Sequence, residues 1–189
     1  RELMNKHWIR AGAAMFAALG ERRGLKALLI YSDPQEDGYR KGLTFPNGPW
    51  GPESHIQRGA ITYDFMVAGD PLTPGWASIE GARRIPVAEA ASVPKIIAVP
   101  ISANDAAPLL KALTGPVAPQ GWQGTLPFTY RVGAGPATVR VNVKMDDRTR
   151  PIWVVEGRIK GTEHPEQMVV LGNHRDAWVF GAVDPSSGT

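Results

Sequence analysis

The sequence predicts an α/β fold, and three features carry that prediction. Residues 2–23 are rich in helix-forming Ala, Leu, Met, Glu and Arg, and the stretch ends at Gly24, a residue typical of helix C-termini. A short apolar run of the buried-strand type follows at residues 26–31. A second strand and helix appear at residues 95–101 and 104–113. This alternation of helices with buried apolar strands is typical of α/β packing.

Between these elements we expect mainly ordered loops. Residues 35–53 carry repeated Gly and Pro without a sustained period, which predicts a long ordered loop. Residues 60–67 are compatible with a strand, and residues 68–76 with a turn fixed by two prolines. Ser102 is expected to cap the second helix.

Three more strands are predicted in the C-terminal third. Residues 137–145 alternate apolar and polar side chains, which indicates a half-buried strand. Two apolar strands follow at residues 151–159 and 168–171, and we place a domain boundary near Thr149. Because α/β folds bind ligands beyond the carboxyl ends of strands, the polar loop after residue 171 is a candidate site.

Composition narrows the function classes. The 189 residues suffice for one domain, or for a small domain with part of another. The net charge of +3 comes from scattered basic residues, which argues against a nucleic-acid-binding surface. Cysteine is absent, so any metal must be held by His and carboxylate side chains.

The ends of the sequence bear on its place in a longer protein. The apolar stretch 11–20 is too short to span a membrane and fits an amphipathic helix, so we expect no membrane segment here. The chain begins at Arg1 and stops at Thr189 after a Pro-Ser-Ser-Gly loop. We therefore expect both ends to be cuts through a longer polypeptide.

The candidate site combines one imidazole with two carboxylates. His174 could donate a neutral nitrogen to Zn²⁺, Asp176 could hold its other nitrogen, and Asp184 could bridge two ions. By spacing alone, a structural role for these residues is the more frequent outcome. His174 would then bond a backbone carbonyl, Asp176 would form an ion pair with an arginine, and Asp184 would cap a turn. The other histidines, at positions 7, 55 and 164, are expected to be solvated polar residues.

Six stretches run in order along most of the chain: LLIYSDP (28–34), QRG (57–59), AGDPLTPGW (68–76), RIPVAEAASVPKIIAVPIS (84–102), GWQGTLPFTYRVGAGP (121–136) and VLGNHRDAWVFGAVDPSSG (170–188). In this order they resemble the family that contains glutamate carboxypeptidase II and the transferrin receptors. The resemblance implies that residues 1–148 are the C-terminal part of a β-rich protease-associated (apical) domain. Residues 149–189 would then contain the first strands of a zinc-exopeptidase α/β domain.

The resemblance also implies a chemistry. It assigns His174 as a zinc ligand, Asp184 as the carboxylate that bridges two zinc ions, and Asp176 as the carboxylate behind the histidine. The implied activity is that of a two-zinc carboxypeptidase or dipeptidase acting on small peptides. This chain alone would be inactive, because the glutamate base and the remaining ligands come later in the family pattern. Transferrin receptors lack the intact ligand set, so His174 and Asp184 favour a peptidase; the alternative is a non-catalytic protease-associated module for substrate gating or protein interaction.

Further expectations rest on the same resemblance. Thr73 and Trp76 fall where the family holds a structural calcium, although simple packing by Pro-Gly-Trp explains the segment equally well. Family members commonly act outside the cytoplasm, secreted, periplasmic or membrane-anchored, and as homodimers, which we expect of the full-length protein. Glutamate specificity is not implied, because Ala60 replaces a substrate-binding asparagine and residues 1–24 offer no clear counterpart of the glutamate-binding arginine.

Overall fold

The computed structural model of the chain describes residues 13–56, 61–146, 148, 151 and 153–174. Within them the mixture of helices and strands confirms the coarse α/β class. The elements are helix α1 (13–22), strand β1 (Ala27–Ile30), helix α2 (Pro34–Asp37), strand β2 (Ile97–Pro100) and helix α3 (Ala103–Lys111), with short 3-10 helices at Val87–Glu89 and Gln120–Trp122.

Helix α1 ends in the hydrogen-bond pattern that a C-terminal glycine permits. The Leu25 N–H donates to the Gly20 carbonyl (2.9 Å), and the Gly24 N–H donates to the Glu21 carbonyl (3.1 Å). Gly24 has a φ of 82°, a conformation that is costly for residues with a Cβ atom. The predicted stop at Gly24 is therefore confirmed, whereas residues 2–12 of the predicted helix lie outside the described residues.

Strands β1 and β2 form a two-stranded parallel sheet. Ala27 pairs with Ile97, and Ile30 pairs with Pro100. One further bond, from the Ile101 N–H to the Ile30 carbonyl (2.8 Å), continues the pairing beyond the strand end. Because the strands are parallel, their carboxyl ends meet at one edge of the sheet, and α2 and α3 both begin there.

Both helices at this edge have a side-chain cap. Asp33 accepts a hydrogen bond from the Gln35 N–H (3.0 Å) at the start of α2. Ser102 accepts one from the Asp105 N–H (3.1 Å) at the start of α3, which confirms the predicted cap. Each cap satisfies a backbone donor that the helix itself leaves unpaired.

Two small apolar clusters pack the ordered part. Both contain alanines from a helix and a buried tyrosine, so the core consists of small side chains around an aromatic ring. The first contains Ala17, Ala18 and Tyr63 with Leu28, Ile61 and Ile96; the second contains Ala103, Ala118, Leu126 and Tyr130 with Tyr31, Ala107, Leu110 and Phe128.

The four other predicted strands are not strands in the described residues. Residues 61–67 form a turn in which the Met66 N–H donates to the Tyr63 carbonyl (2.8 Å). The described parts of 137–145, 151–159 and 168–171 have no regular secondary structure, and Ile159 and Leu171 are fully exposed. A strand requires a neighbour to accept its backbone hydrogen bonds, and the described part of the chain supplies none for these segments.

The predicted ordered loop is confirmed from residue 38 to residue 53, whereas residues 35–37 belong to helix α2, which the sequence did not predict. Isolated bridges join Gly38 to Gly51 and Thr44 to Trp50, so the loop folds back on itself. The Lys41 ammonium lies 4.6 Å from the centre of the Trp50 ring, a cation–π arrangement.

Candidate functional site

The predicted zinc ligands lie at the C-terminal limit of the described residues. His174 is exposed and follows an apolar run, residues 168–171, whose side chains are at least 76% exposed. Asp176 and Asp184 lie outside the described residues, so their positions beside His174 stay predictions. In the part of the chain that the structure describes, no three His, Asp or Glu side chains are grouped so that they could hold a metal ion. His174 has the donor chemistry for zinc, but a catalytic zinc takes about three protein ligands.

The predicted calcium residues share one turn. The Trp76 N–H donates to the Thr73 carbonyl (3.2 Å), so both residues lie in the same tight bend. Thr73 is 1% exposed, and its hydroxyl has no hydrogen-bond partner within the described residues. Buried hydroxyls are almost always bonded, and Ca²⁺ prefers oxygen ligands. The Thr73 hydroxyl and the Trp76 backbone carbonyl are oxygen donors, but two oxygens are fewer than the six to eight that Ca²⁺ takes, so the calcium site stays a prediction.

Asp70 shapes this turn, and the sequence analysis did not single it out. Its carbonyl accepts the Thr73 N–H (3.1 Å), and its Oδ1 accepts the Leu72 N–H (2.9 Å). Its Oδ2 accepts the Ser78 hydroxyl. The Ser78 bond, the Leu72 N–H and the nearby Arg84 guanidinium hold the pKa of Asp70 below its ordinary value, so it stays charged. An aspartate three residues before Thr73, followed by proline, is a turn signal that could have revealed it.

A second carboxylate joins distant parts of the chain. Asp33, besides capping α2, accepts the Thr125 N–H (2.8 Å) and the Thr125 hydroxyl. Next to it, burial first and then a hydrogen bond with Tyr130 raise the pKa of Tyr31 above its ordinary value. Tyr31 therefore stays a neutral packing and hydrogen-bonding group, and the bonds from Thr125 to Asp33 anchor the 120–126 segment at the sheet edge.

The expectation of a solvated His55 is wrong. The side chain is 9% exposed, and its Nε2 lies 3.7 Å from Oδ2 of Asp37, which is 12% exposed. The loop between Gly38 and Gly51 folds over this pair because Gly51 has no side chain: a Cβ atom there would lie 2.6 Å from the imidazole ring. His164, in contrast, is exposed as expected and lies 3.5 Å from Glu166.

A membrane segment is not seen in the described part of the chain, where every helix is too short or too polar to cross a bilayer.

Comparison with known proteins gives several relatives. No protein-family model matches the sequence. The chain is 40% identical over 169 residues to a probable glutamate carboxypeptidase of Arabidopsis thaliana, covering 88% of this chain and 23% of that protein. It is 39% identical over 180 residues to an aminopeptidase of Mus musculus, and the match covers 89% of this chain and 24% of that protein. It is also 38% identical over 188 residues to transferrin receptor protein 2 of Rattus norvegicus, and the match covers 96% of this chain and 22% of that protein. The chain thus spans about a quarter of the length of these relatives.

Proposed function

Because the chain belongs to the family of the glutamate carboxypeptidases, their aminopeptidase relatives and the transferrin receptors, we propose that it is a segment of a zinc-dependent exopeptidase of small peptides. The observation that carries this proposal is the 40% identity to a probable glutamate carboxypeptidase across 88% of the chain. One relative is named a carboxypeptidase and another an aminopeptidase, which supports an exopeptidase. The two names leave open which end of the peptide is cleaved and which side chain is preferred.

The proposed zinc chemistry rests on three residues. His174 donates a ring nitrogen to zinc, Asp176 accepts the proton on the other ring nitrogen and so fixes the tautomer, and Asp184 bridges two ions. Bound zinc supplies a water of lowered pKa and a Lewis acid that polarises the scissile carbonyl. The exposed position of His174 in the described residues is compatible with ligation by groups from elsewhere in the polypeptide.

The proposed domain division assigns residues 1–148 to a protease-associated domain and 149–189 to the start of the catalytic domain. A change in packing supports a division in this region. Both apolar clusters use residues before 131, whereas Trp153, Val154 and Ile159 are 73–101% exposed. The last cluster residue is Tyr130, so the change begins before the predicted boundary near Thr149.

Calcium is proposed as a second metal, bound near Thr73 and Trp76. The support is the buried Thr73 hydroxyl without a partner in the described part of the chain. The ion would serve structure, because the proposed zinc chemistry uses His174, Asp176 and Asp184 and neither Thr73 nor Trp76. Homodimer formation and action outside the cytoplasm remain proposals from the family resemblance.

The transferrin receptor relative favours a second candidate function. That match covers 96% of this chain, more than either peptidase match. A non-catalytic protease-associated module that gates a substrate or binds another protein is therefore the alternative. The two candidates differ in whether His174 binds zinc.

Zinc titration of the chain, with equilibrium dialysis as the readout, tests the proposal. We expect weak binding that His174→Ala reduces at least ~10-fold, because that change removes a direct ligand and even outer-shell changes cost this much. His164→Ala is the matched control, since His164 is an exposed histidine beside Glu166. Equal zinc binding by His174→Ala and the unsubstituted chain would favour the non-catalytic module.

A further inference from the structure

Helix α1 has two faces of different character. Its inner face packs Ala17 and Ala18 into the first apolar cluster. Its opposite face carries Met15, Phe16 and Leu19, whose exposed fractions are 54%, 72% and 45%. A helix that already buries one side has no need of large apolar residues on the other side for its own packing. A contiguous apolar surface of this kind is typical of a binding site.

Basic residues continue the exposed side of α1 towards its C-terminal end. Met15, Leu19 and Arg22 are spaced by four and three residues, so they lie in one row along the helix. Arg23 and Lys26 follow, and all three basic residues are exposed. Arginines near a helix C-terminus also suit the helix dipole. The dipole explains neither Lys26, which lies beyond the helix, nor the exposed apolar residues.

The acidic residue in this segment does not balance these charges. Glu21 is the only carboxylate in residues 13–26. Its Oε2 accepts hydrogen bonds from the Tyr63 hydroxyl (3.0 Å) and from the Lys95 N–H (2.9 Å), so the side chain is held against the rest of the fold. The exposed side is therefore apolar at its start and positively charged at its end. We call it the outer face of α1, made of Met15, Phe16, Leu19, Arg22, Arg23 and Lys26.

The partner of the outer face must offer apolar contact next to negative charge. A second copy of the same face does not, because it would bring more arginines and no free carboxylate. An anionic lipid bilayer does, because its acyl chains lie just below charged headgroups. Phe16 and Arg23 are about 10 Å apart along the helix axis, at 1.5 Å per residue. Interfacial helices bury their apolar residues to a similar depth of about 5–10 Å.

We propose that the outer face of α1 docks on the surface of a membrane that contains anionic lipids. Met15, Phe16 and Leu19 enter the boundary between headgroups and acyl chains, and the three basic side chains extend to the lipid phosphates. The helix lies on the bilayer and does not cross it, which agrees with the lack of a spanning helix in the described residues. With so few apolar residues, the attachment is reversible.

The test is cosedimentation of the 189-residue chain with vesicles of phosphatidylcholine alone or of phosphatidylcholine mixed with phosphatidylserine. We expect binding to the mixed vesicles only, and weaker binding at high salt. Arg22→Gln combined with Arg23→Gln should weaken it about 25-fold, because each basic side chain near an anionic surface contributes about fivefold. Phe16→Ser should weaken it about tenfold, because the ring no longer leaves water.

Matched controls exist for both kinds of change. Phe65 is 53% exposed and does not belong to the outer face, so Phe65→Ser should bind like the unsubstituted chain. Arg140 and Lys144 are exposed in the irregular C-terminal segment, and Arg140→Gln combined with Lys144→Gln removes the same amount of charge. Circular dichroism without vesicles checks that each variant keeps its fold.

Three results would overturn the proposal. The first is no binding to the phosphatidylserine vesicles. The second is equal binding by the outer-face variants and the unsubstituted chain, which would assign the binding to another surface. The third is Phe16-dependent binding of an acidic amphipathic helical peptide by a chain that ignores the vesicles, which would make the partner a protein. Loss of vesicle binding in both outer-face variants, with the controls unchanged, would support the proposal.

Discussion

Gly124→Ala should be among the most damaging single-methyl additions to the ordered part of the chain. A Cβ atom at Gly124 would lie 2.3 Å from Oδ2 of Asp33 and 2.5 Å from the Tyr130 hydroxyl. Contacts this short cannot persist, so at least one of the two groups must move. Tyr130 is 7% exposed and its hydroxyl accepts the Leu126 N–H (3.1 Å), which leaves Asp33 as the group with more freedom.

The size of the effect follows from the bonds of Asp33. Displacing its carboxylate breaks the bond from the Thr125 N–H (2.8 Å), worth about 1.5–3 kcal/mol for a charged acceptor. It also disturbs the cap of α2, worth about 1 kcal/mol. Alanine also lowers the conformational entropy of the unfolded chain, which offsets about 0.4–1 kcal/mol of the loss in stability. The net loss in the free energy of unfolding is therefore about 1.5–3.6 kcal/mol.

Urea unfolding measures this difference against a matched control. Gly121→Ala lies three residues earlier in the same segment, and its Cβ atom would meet nothing within 4 Å. We expect that control to change the stability by less than about 1 kcal/mol. If Gly124→Ala unfolds at the same urea concentration as Gly121→Ala, the contact between Asp33 and the 120–126 segment does not support the fold as argued.

Two further predictions concern the first apolar cluster and the exposed C-terminal segment. Tyr63→Phe removes the hydroxyl that donates to Glu21 (3.0 Å) and should cost about 1.5–3 kcal/mol in urea unfolding at neutral pH, because the acceptor is a carboxylate. Burial, then the Glu21 bond, raises the pKa of Tyr63 from 10.0 to about 12, so the unfolded state loses its proton first. Stability from this group is complete below pH 10, falls as pH rises towards 12, and should fall less in the variant; parallel pH profiles would contradict this. Trypsin should cut first after Arg158 or Lys160, which lie in an exposed, irregular segment, and early cleavage after Lys111 in α3, read by mass spectrometry, would contradict it.

Local signals in the sequence were sufficient to predict the end of α1, the cap of α3 and the strands β1 and β2. Gly24 was predicted as a helix end because only a residue without Cβ suits the left-handed conformation that closes α1. Ser102 was predicted as a cap because its side chain can replace a missing backbone partner of α3. The apolar runs that became β1 and β2 were also recognisable within a few residues.

Contacts between distant residues could not be read from the sequence. The bond between Asp33 and Thr125 joins positions 92 residues apart, and no local pattern announces it. The burial of His55 against Asp37 depends on how the loop folds back at Gly51. The orphaned Thr73 hydroxyl is likewise visible only after its surroundings are placed.

The strand predictions after residue 137 failed for a different reason. Alternation at residues 137–145 indicates which side chains would share a face, but a strand forms only where a neighbour pairs with it. Val154 and Leu171 are 89% and 98% exposed, so the described residues leave this apolar surface uncovered. The zinc residues Asp176 and Asp184 lie outside the described residues and remain predictions from the sequence.

The measurement that tests the central claim most directly is peptide hydrolysis by the full-length product of the gene that encodes this chain. Dipeptide and N-acylated dipeptide substrates should be assayed with bound zinc counted in the same preparation, beside His174→Ala and the His164→Ala control. The account predicts zinc-dependent hydrolysis that His174→Ala abolishes and His164→Ala leaves intact. A folded product that binds no zinc and hydrolyses none of these peptides would contradict it.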